Sequence, residues 1–356
     1  MLNALLSPVS LGSLELSNRI IMAPLTRTRA TGNHCPNELM AEYYAQRASA
    51  GLIIAEATMI MDGYSAFNSE PGIYSEEQIQ GWKTVTQAVH DKGGKIVLQI
   101  WHGGRACHPE LNNGNAAVGP SAIAITNNTI HTPTGKKAYT VPRELSIAEI
   151  HDITFAFKQA AENAKLAGFD GIELHGANGY ILDTFLRDSS NQRRDEYGGF
   201  FENRARLLLE TLQTVCRVWG SDKVGLRLSP INQFNSMSDS NPIELFSWLS
   251  KELNAFHLAY LHIMRHDFFG SNDVDIMATM LENYQGNVIG NMGYSAKEAD
   301  NDIGQNKITA VAFGVPFIAN PDLVERFMQN APLNEANPNT FYTPGKNGYT
   351  DYPTLS

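Results

Sequence analysis

The chain has 356 residues, 43% of them hydrophobic, with a formal net charge of −10 and three cysteines. That is enough apolar material for a large core, and the acidic balance disfavours a polyanionic partner such as nucleic acid. No apolar run approaches the ~18 residues needed to cross a bilayer, the N-terminal MLNALLSPVS lacks the basic region of a signal peptide, and Cys35, Cys107 and Cys216 show no metal or redox spacing, so the expected setting is a reducing cytoplasm without a membrane partner.

Residues 6–18 alternate around Gly12-Ser13 and predict a β-hairpin that closes the bottom of the fold. Short apolar runs then recur near residues 19–23, 52–57, 95–100, 170–174, 223–228, 258–263, 286–290 and 309–313. Amphipathic stretches at 37–50, 76–92, 146–167, 199–219, 242–254, 273–283 and 320–329 separate them and predict helices. This alternation is that of βα units around a parallel sheet. Eight strands, with no G-x-G-x-x-G turn after the first, favour an α/β fold of the closed (β/α)₈ TIM-barrel type over an open doubly wound sheet. One domain spanning 1–356 accommodates it. Residues 102–145, rich in Gly, Asn, Thr and Pro, form an excursion too long for an ordinary βα loop. In a barrel it projects over the C-terminal face and caps it.

The chemistry concentrates where strands end. After the run Gly168–Leu174 comes His175-Gly-Ala-Asn178-Gly-Tyr180. His175 and Asn178, three apart in a Gly-rich turn, can both donate to one oxygen, with the Tyr180 hydroxyl beside them as a proton source. Two neutral donors and an acid suit a reaction that builds negative charge on a carbonyl or nitro oxygen. A polar strand end that caps the next helix would use the same residues. Gln99 offers a donor and an acceptor from inside an apolar strand. Arg227, in the middle of another, requires either an anionic ligand or a buried carboxylate partner, because an unpaired buried guanidinium costs several kcal/mol.

Residues 175–204, HGANGYILDTFLRDSSNQRRDEYGGFFENR, resemble the long signature of the Old Yellow Enzyme family of FMN-dependent ene-reductases. Similar segments occur in family order: Met22-Ala-Pro-Leu-Thr26-Arg27, Leu98-Gln-Ile-Trp101-His-Gly-Gly-Arg105, Gly225-Leu-Arg-Leu-Ser-Pro230, Ala312-Phe-Gly-Val-Pro-Phe-Ile-Ala-Asn-Pro-Asp322 and Gly348-Tyr-Thr-Asp-Tyr-Pro353. The resemblance implies FMN held without a covalent bond by Ala23, Pro24, Leu25, Thr26, Ala57, Gln99, Arg227, Met292, Gly293, Gly314 and Val315, with NADPH or NADH as reductant and no metal. Thr26 would bond the flavin near N5, Gln99 its pyrimidine edge, and Arg227 the anionic N1 side of the reduced ring; a Thr that merely caps its turn is the plainer reading of Thr26. Backbone N–H groups at the ends of strands seven and eight would hold the phosphate. There the chain departs from its family, with Val315 in place of the usual Arg. That substitution is expected to cost about 1.5–3 kcal/mol, or roughly one to two decades in FMN affinity.

The resemblance further assigns His175 and Asn178 to the substrate oxygen and Tyr180 to protonation of the alkene. Tyr64, Trp101 and Tyr349 would wall the substrate cavity, although Trp101 also reads as a core aromatic, and the loop from Tyr64 to Gly72 is somewhat long. Ile172 and Leu174 belong to the core, and Arg193, Arg194, Glu202, Asn203 and Arg204 read as structural polar links. The implied reaction is nicotinamide-driven reduction of activated C=C bonds in unsaturated carbonyls, maleimides or nitro compounds, by a monomer or homodimer. A dienoyl-CoA reductase relative would need an iron–sulfur cysteine cluster that the chain lacks. A flavin- or phosphate-binding barrel without turnover has only Val315 in its favour.

Overall fold

The apolar runs become parallel strands because capped helices between them return the chain to the same end each time. The computed structural model describes residues 2–126, 128–268, 270 and 274–355. Among these, eight strands close into a barrel: β1 (Ile20–Met22), β2 (Leu52–Met59), β3 (Ile96–Trp101), β4 (Gly171–Gly176), β5 (Val224–Leu228), β6 (Tyr260–Met264), β7 (Val288–Asn291) and β8 (Ala310–Phe313). Neighbours pair in chain order, and β8 closes on β1 with Val311 opposite Ile20. β2 runs past its expected end through a register shift between Ala55 and Thr58. Such a bulge re-aims side chains: Glu56 turns to the Tyr44 hydroxyl and the Arg27 N–H, while Ala57 faces the barrel mouth.

Period-two alternation fills the barrel in layers. At the bottom, strands Val9–Leu11 and Leu14–Leu16 form an antiparallel hairpin through Gly12-Ser13, with Gly12 in the left-handed region at φ 58°. Its Leu11, Leu14 and Leu16 pack on Ile21, Leu52, Ile54, Val97 and Ile289 to make an apolar floor. Above that floor lies a polar layer of Gln99, Glu173, Arg227 and His262, all buried. Three of its members pair, as burial demands: Gln99 Nε2 donates to Glu173 Oε1 at 2.7 Å, and His262 Nδ1 lies 2.9 Å from Glu173 Oε2.

The helices start at side-chain caps such as Ser75 and Ser146, each in a capping box with the residue three places on. The expected helix over 37–50 ends at Ala45, where the chain turns back into β2. The one over 199–219 divides at Ala205 into Phe201–Arg204 and Arg206–Trp219. The one over 273–283 occupies Ile276–Asn283, and residue 273 lies outside the described residues. Three helices were not foreseen: Ile181–Leu186, Ala296–Gly304 and Val315–Ala319. Ala296–Gly304 buries only Ala299 and Ile303, too few apolar positions to show a helical period. Among the described residues no helix is long and apolar enough to cross a membrane.

The excursion between β3 and the helix Ile147–Leu166 contains a hairpin, Thr129–Thr132 with Gly135–Ala138, and a short parallel pair, Val118–Gly119 with Arg143–Glu144. It is tied to the loops after β4 and β5: Arg105 Nη2 donates to Asn235 O at 2.8 Å, and Arg193 Nη1 to Leu145 O at 2.6 Å. Its Ile125 packs in one cluster with Trp101 and Tyr180, so it covers the Tyr180 side of the barrel mouth.

Candidate active site

At the C-terminal ends of the strands the barrel opens into a cavity of about 600 Å³. His175, Asn178 and Tyr180 line one wall, Gln99 and Arg227 rise into it from the polar layer, and Ala23, Pro24, Leu25, Thr26, Ala57, Met292, Gly293, Gly314 and Val315 complete much of its outline. Strand ends on opposite sides of the barrel converge there because parallel strands all point the same way.

Each polar group on the wall has a determined orientation. The Ala177 N–H donates to His175 Nδ1 at 3.3 Å, so the ring proton sits on Nε2. Burial, with the Arg227 charge next, holds His175 well below the ordinary imidazole range, which keeps the ring neutral and a donor. Asn178 has left-handed backbone, φ 59°, a region Asn tolerates better than most residues. Its backbone N–H donates to Ser229 Oγ at 2.8 Å, its carbonyl accepts from Asn235 Nδ2 at 2.9 Å, and its side-chain Oδ1 accepts from Asn232 Nδ2 at 2.8 Å. The amide NH₂ of Asn178 is therefore left for the cavity. Tyr180 caps the helix Ile181–Leu186, and its ring stands edge-on to His175, with centroids 4.9 Å apart. Burial pushes its hydroxyl well above the ordinary phenol value, so it stays protonated.

Arg227 differs from an ordinary buried arginine. Nη2 donates to Asn291 Oδ1 at 3.0 Å, while Nε is buried and finds no partner. The charge thus faces the cavity without a direct carboxylate partner among the described residues. Gln99, its NH₂ committed to Glu173, keeps its carbonyl oxygen for the same space. On the far side Met292 and Gly293 both have positive φ, 81° and 70°, and a Cβ on Gly314 would come within 3.4 Å of Leu25 Cδ2. Backbone therefore forms that side of the cavity, and Val315 stands there half-exposed.

Three expected wall residues are not part of the cavity lining. Trp101 is fully buried behind the wall, with the Tyr180 ring edge-on against it at 4.4 Å. Tyr64 tilts onto His102, with ring centroids 4.1 Å apart, on the excursion side of its loop. Tyr349 is an inner layer of a stack: its ring lies 4.0 Å from Tyr43, Arg47 covers the Tyr43 ring at 3.8 Å, and Arg29 covers Tyr349 at 4.7 Å. In their places the cavity is lined by Phe67, from the same loop as Tyr64, by Phe234 and Phe268, and by Phe341 and Tyr342. Asn291, also in the lining, carried the same signal as Gln99, a carboxamide in an apolar strand. The aromatic residues come from irregular loops and had no such signal.

Residues 4–334 match the family described as the NADH:flavin oxidoreductase / NADH oxidase family. A Leishmania infantum protein described as "Probable flavin mononucleotide-dependent alkene reductase" is 46% identical over 99% of this chain and 98% of its own. The solved old yellow enzyme from Trypanosoma cruzi has a TM-score of 0.97 at 45% identity, with 100% of both chains covered. Morphinone reductase, solved in complex with tetrahydroNAD, has a TM-score of 0.94 at 42% identity, covering 99% of this chain and 98% of its own. The chain is a flavin-dependent oxidoreductase. Within that class the chain belongs to the Old Yellow Enzyme family, the FMN-dependent alkene reductases.

The residues present fit FMN. A guanidinium at Arg227 with no direct carboxylate contact among the described residues and a buried Nε lacking a partner matches a ring that becomes anionic on reduction. The free oxygen of Gln99 matches a ring N–H, and the backbone-lined edge at Gly293 and Gly314 leaves room for a phosphate.

Proposed function

We propose that this chain is an ene-reductase that uses reduced nicotinamide, NADPH or NADH, to saturate C=C bonds conjugated to a carbonyl or nitro oxygen, in unsaturated ketones, maleimides or nitroalkenes. The observation that carries this reading is the single wall on which His175 Nε2–H, the Asn178 NH₂ and the Tyr180 hydroxyl meet. FMN, when bound, accepts electrons from the nicotinamide and supplies hydride to the alkene β-carbon.

The side chains do the rest. His175 and Asn178 donate to the substrate oxygen, which gains negative charge as the β-carbon is reduced. Neutral, pre-oriented donors in a site screened from water stabilise that charge without reorganising. Both approach the same oxygen, so they also fix which carbon faces the hydride donor. Tyr180 delivers its proton to the α-carbon. A phenol raised above its ordinary value by burial is a weak acid toward water, yet acidic enough for the strongly basic enolate carbon. Phe67, Phe234, Phe268 and Tyr342 supply apolar, planar surface for the rest of the substrate. Nicotinamide and substrate use one cavity in turn, which gives ping-pong kinetics.

Tyr180→Phe tests the reading. Stopped-flow should find reduction by nicotinamide close to wild type and cyclohexenone turnover about 10²–10⁴-fold slower. Nitroalkenes, whose nitronate product is stable without immediate protonation, should still be consumed. Cyclohexenone reduction at the wild-type rate would sink the role of Tyr180.

A further inference from the structure

The Asn178 carboxamide can serve the substrate oxygen only if its NH₂, and not its Oδ1, faces the cavity. The two orientations have nearly the same shape, so packing alone does not choose between them. The choice is made one residue deeper. Asn232, 1% exposed in the loop after β5, accepts on its Oδ1 from two backbone N–H groups, Phe234 N at 3.3 Å and Phe268 N at 3.3 Å. A backbone N–H only donates, so that oxygen cannot be exchanged for the amide nitrogen. The Asn232 Nδ2 is thereby aimed at Asn178, where Oδ1 accepts from it at 2.8 Å. Turning the Asn178 amide over would set two NH₂ groups against each other and present an acceptor to the substrate oxygen. The Asn232 carbonyl is held in turn by Arg187 Nη1 at 2.9 Å.

We propose that Asn232 is a positioning residue that fixes the donor orientation of Asn178 and couples it to the aromatic mouth of the cavity. The coupling arises from the same two hydrogen bonds. Phe234 and Phe268 come from the loops after β5 and β6, both line the cavity, and their rings meet edge-on at 5.5 Å. One carboxamide thus gathers the two loops that carry these rings and transmits a defined polarity to the oxygen-binding donor. The proposal rests on the reading that Asn178 donates to the substrate oxygen.

Asn232→Asp and Asn232→Ala separate positioning from mere structure. A carboxylate still accepts from Phe234 N and Phe268 N, and those two donors favour its ionised form. It offers Asn178 an acceptor, however, and so turns the Asn178 amide over. Alanine removes both functions and leaves the Asn178 amide free to choose. The expected result is a crossing. Asn232→Asp melts at or above Asn232→Ala, yet phenol binds about 10–100-fold more weakly to it than to wild type, and more weakly than to Asn232→Ala. Cyclohexenone kcat/KM takes the same order. In Asn178→Ala, adding Asn232→Ala should cause no further loss of phenol affinity, because the two act as one unit. Wild-type phenol affinity in Asn232→Asp, or additive losses in the double variant, overturns the proposal. Wild-type affinity in Asn178→Ala overturns the reading beneath it instead.

Discussion

Two sets of buried arginines in this barrel are treated in opposite ways. Arg27, Arg29 and Arg47 lie beside the C-terminal segment, interleaved with Tyr43 and Tyr349, and their nitrogens find carbonyl oxygens or, for Arg27 Nη1, the Tyr43 hydroxyl. Arg47 Nε donates to Phe317 O at 2.8 Å, Nη1 to Tyr43 O at 2.8 Å and Nη2 to Ile318 O at 2.9 Å. Arg29 reaches the carbonyls of Arg27, Thr340 and Phe341 at 2.6 to 2.9 Å. Arg227, equally buried, has one carboxamide contact and an unpartnered Nε. An unpartnered Nε alone does not set Arg227 apart, because buried Arg105 and Arg204 share it; what distinguishes Arg227 is that its single hydrogen bond among the described residues goes to a carboxamide and that it lines the cavity. A guanidinium saturated by carbonyls holds chain segments together, and one that faces a cavity short of acceptors carries a cost to the fold that an anionic ligand would offset.

After the loss expected of Tyr180→Phe, the next largest effect is expected at His175, on the same wall. His175→Ala removes a donor aimed at developing charge, so enone reduction should fall about 10²–10³-fold and phenol binding should be lost while FMN remains bound. Wild-type phenol affinity in that variant would remove His175 from the site. The arginine comparison is tested next by equal substitutions with opposite outcomes. Arg47→Met leaves buried carbonyls without donors, and urea denaturation should show a loss of about 3 kcal/mol. Arg227→Met removes a buried guanidinium whose only hydrogen bond among the described residues is to Asn291; if that desolvation outweighs its attraction to Glu173, the apoprotein should melt at a higher temperature while its FMN affinity falls. A fall in apoprotein stability would show that Arg227 is satisfied by the protein itself.

Smaller effects sharpen the same contrast. Val315→Arg adds a cation at the backbone-lined end of the cavity and should tighten FMN by roughly 10–100-fold in equilibrium dialysis. Equal affinities would mean that the phosphate is already served by backbone or by another cation. The smallest effect is on pH dependence. Burial lowers His102 to about 3, so the unfolded chain takes a proton below ~6.5 that the folded chain refuses, and stability falls as pH drops through that value. Glu56 is pushed up to about 7 by burial. Its proton stabilises the fold fully below the ordinary carboxylate value, and that contribution is lost as pH rises through 7. Between these limits the two oppose each other, and Glu56→Gln should steepen the acid side of the stability profile by about 1.4 kcal/mol per pH unit at most. Unchanged steepness would mean that Glu56 is ionised in the fold.

The barrel was legible in the sequence because its signals are local. A buried parallel strand needs four to eight apolar residues in a row, and a helix announces itself by period and caps, so β1 to β8 could be located without any tertiary contact. The same holds for Gln99, Arg227 and His175. A polar side chain at an inward position near the end of an apolar strand must point into the barrel mouth, because alternation leaves it nowhere else to go. Tyr64, Trp101 and Tyr349 show where this reasoning stops. They are aromatic residues near the mouth, and whether such a ring faces the cavity or backs the wall depends on which neighbour occupies the space first. For Trp101 that neighbour is Tyr180, and for Tyr349 it is the Tyr43–Arg47 stack. Phe234, Phe268 and Asn232 show the converse. Their places depend on loops after three different strands meeting above the barrel, with Asn178 and Asn232 joined across 54 positions of sequence. Composition and spacing determined which groups could reach the mouth of the barrel. Only the packed loops decided which way each amide and ring would face, because orientation is set by hydrogen-bond partners distant in the chain.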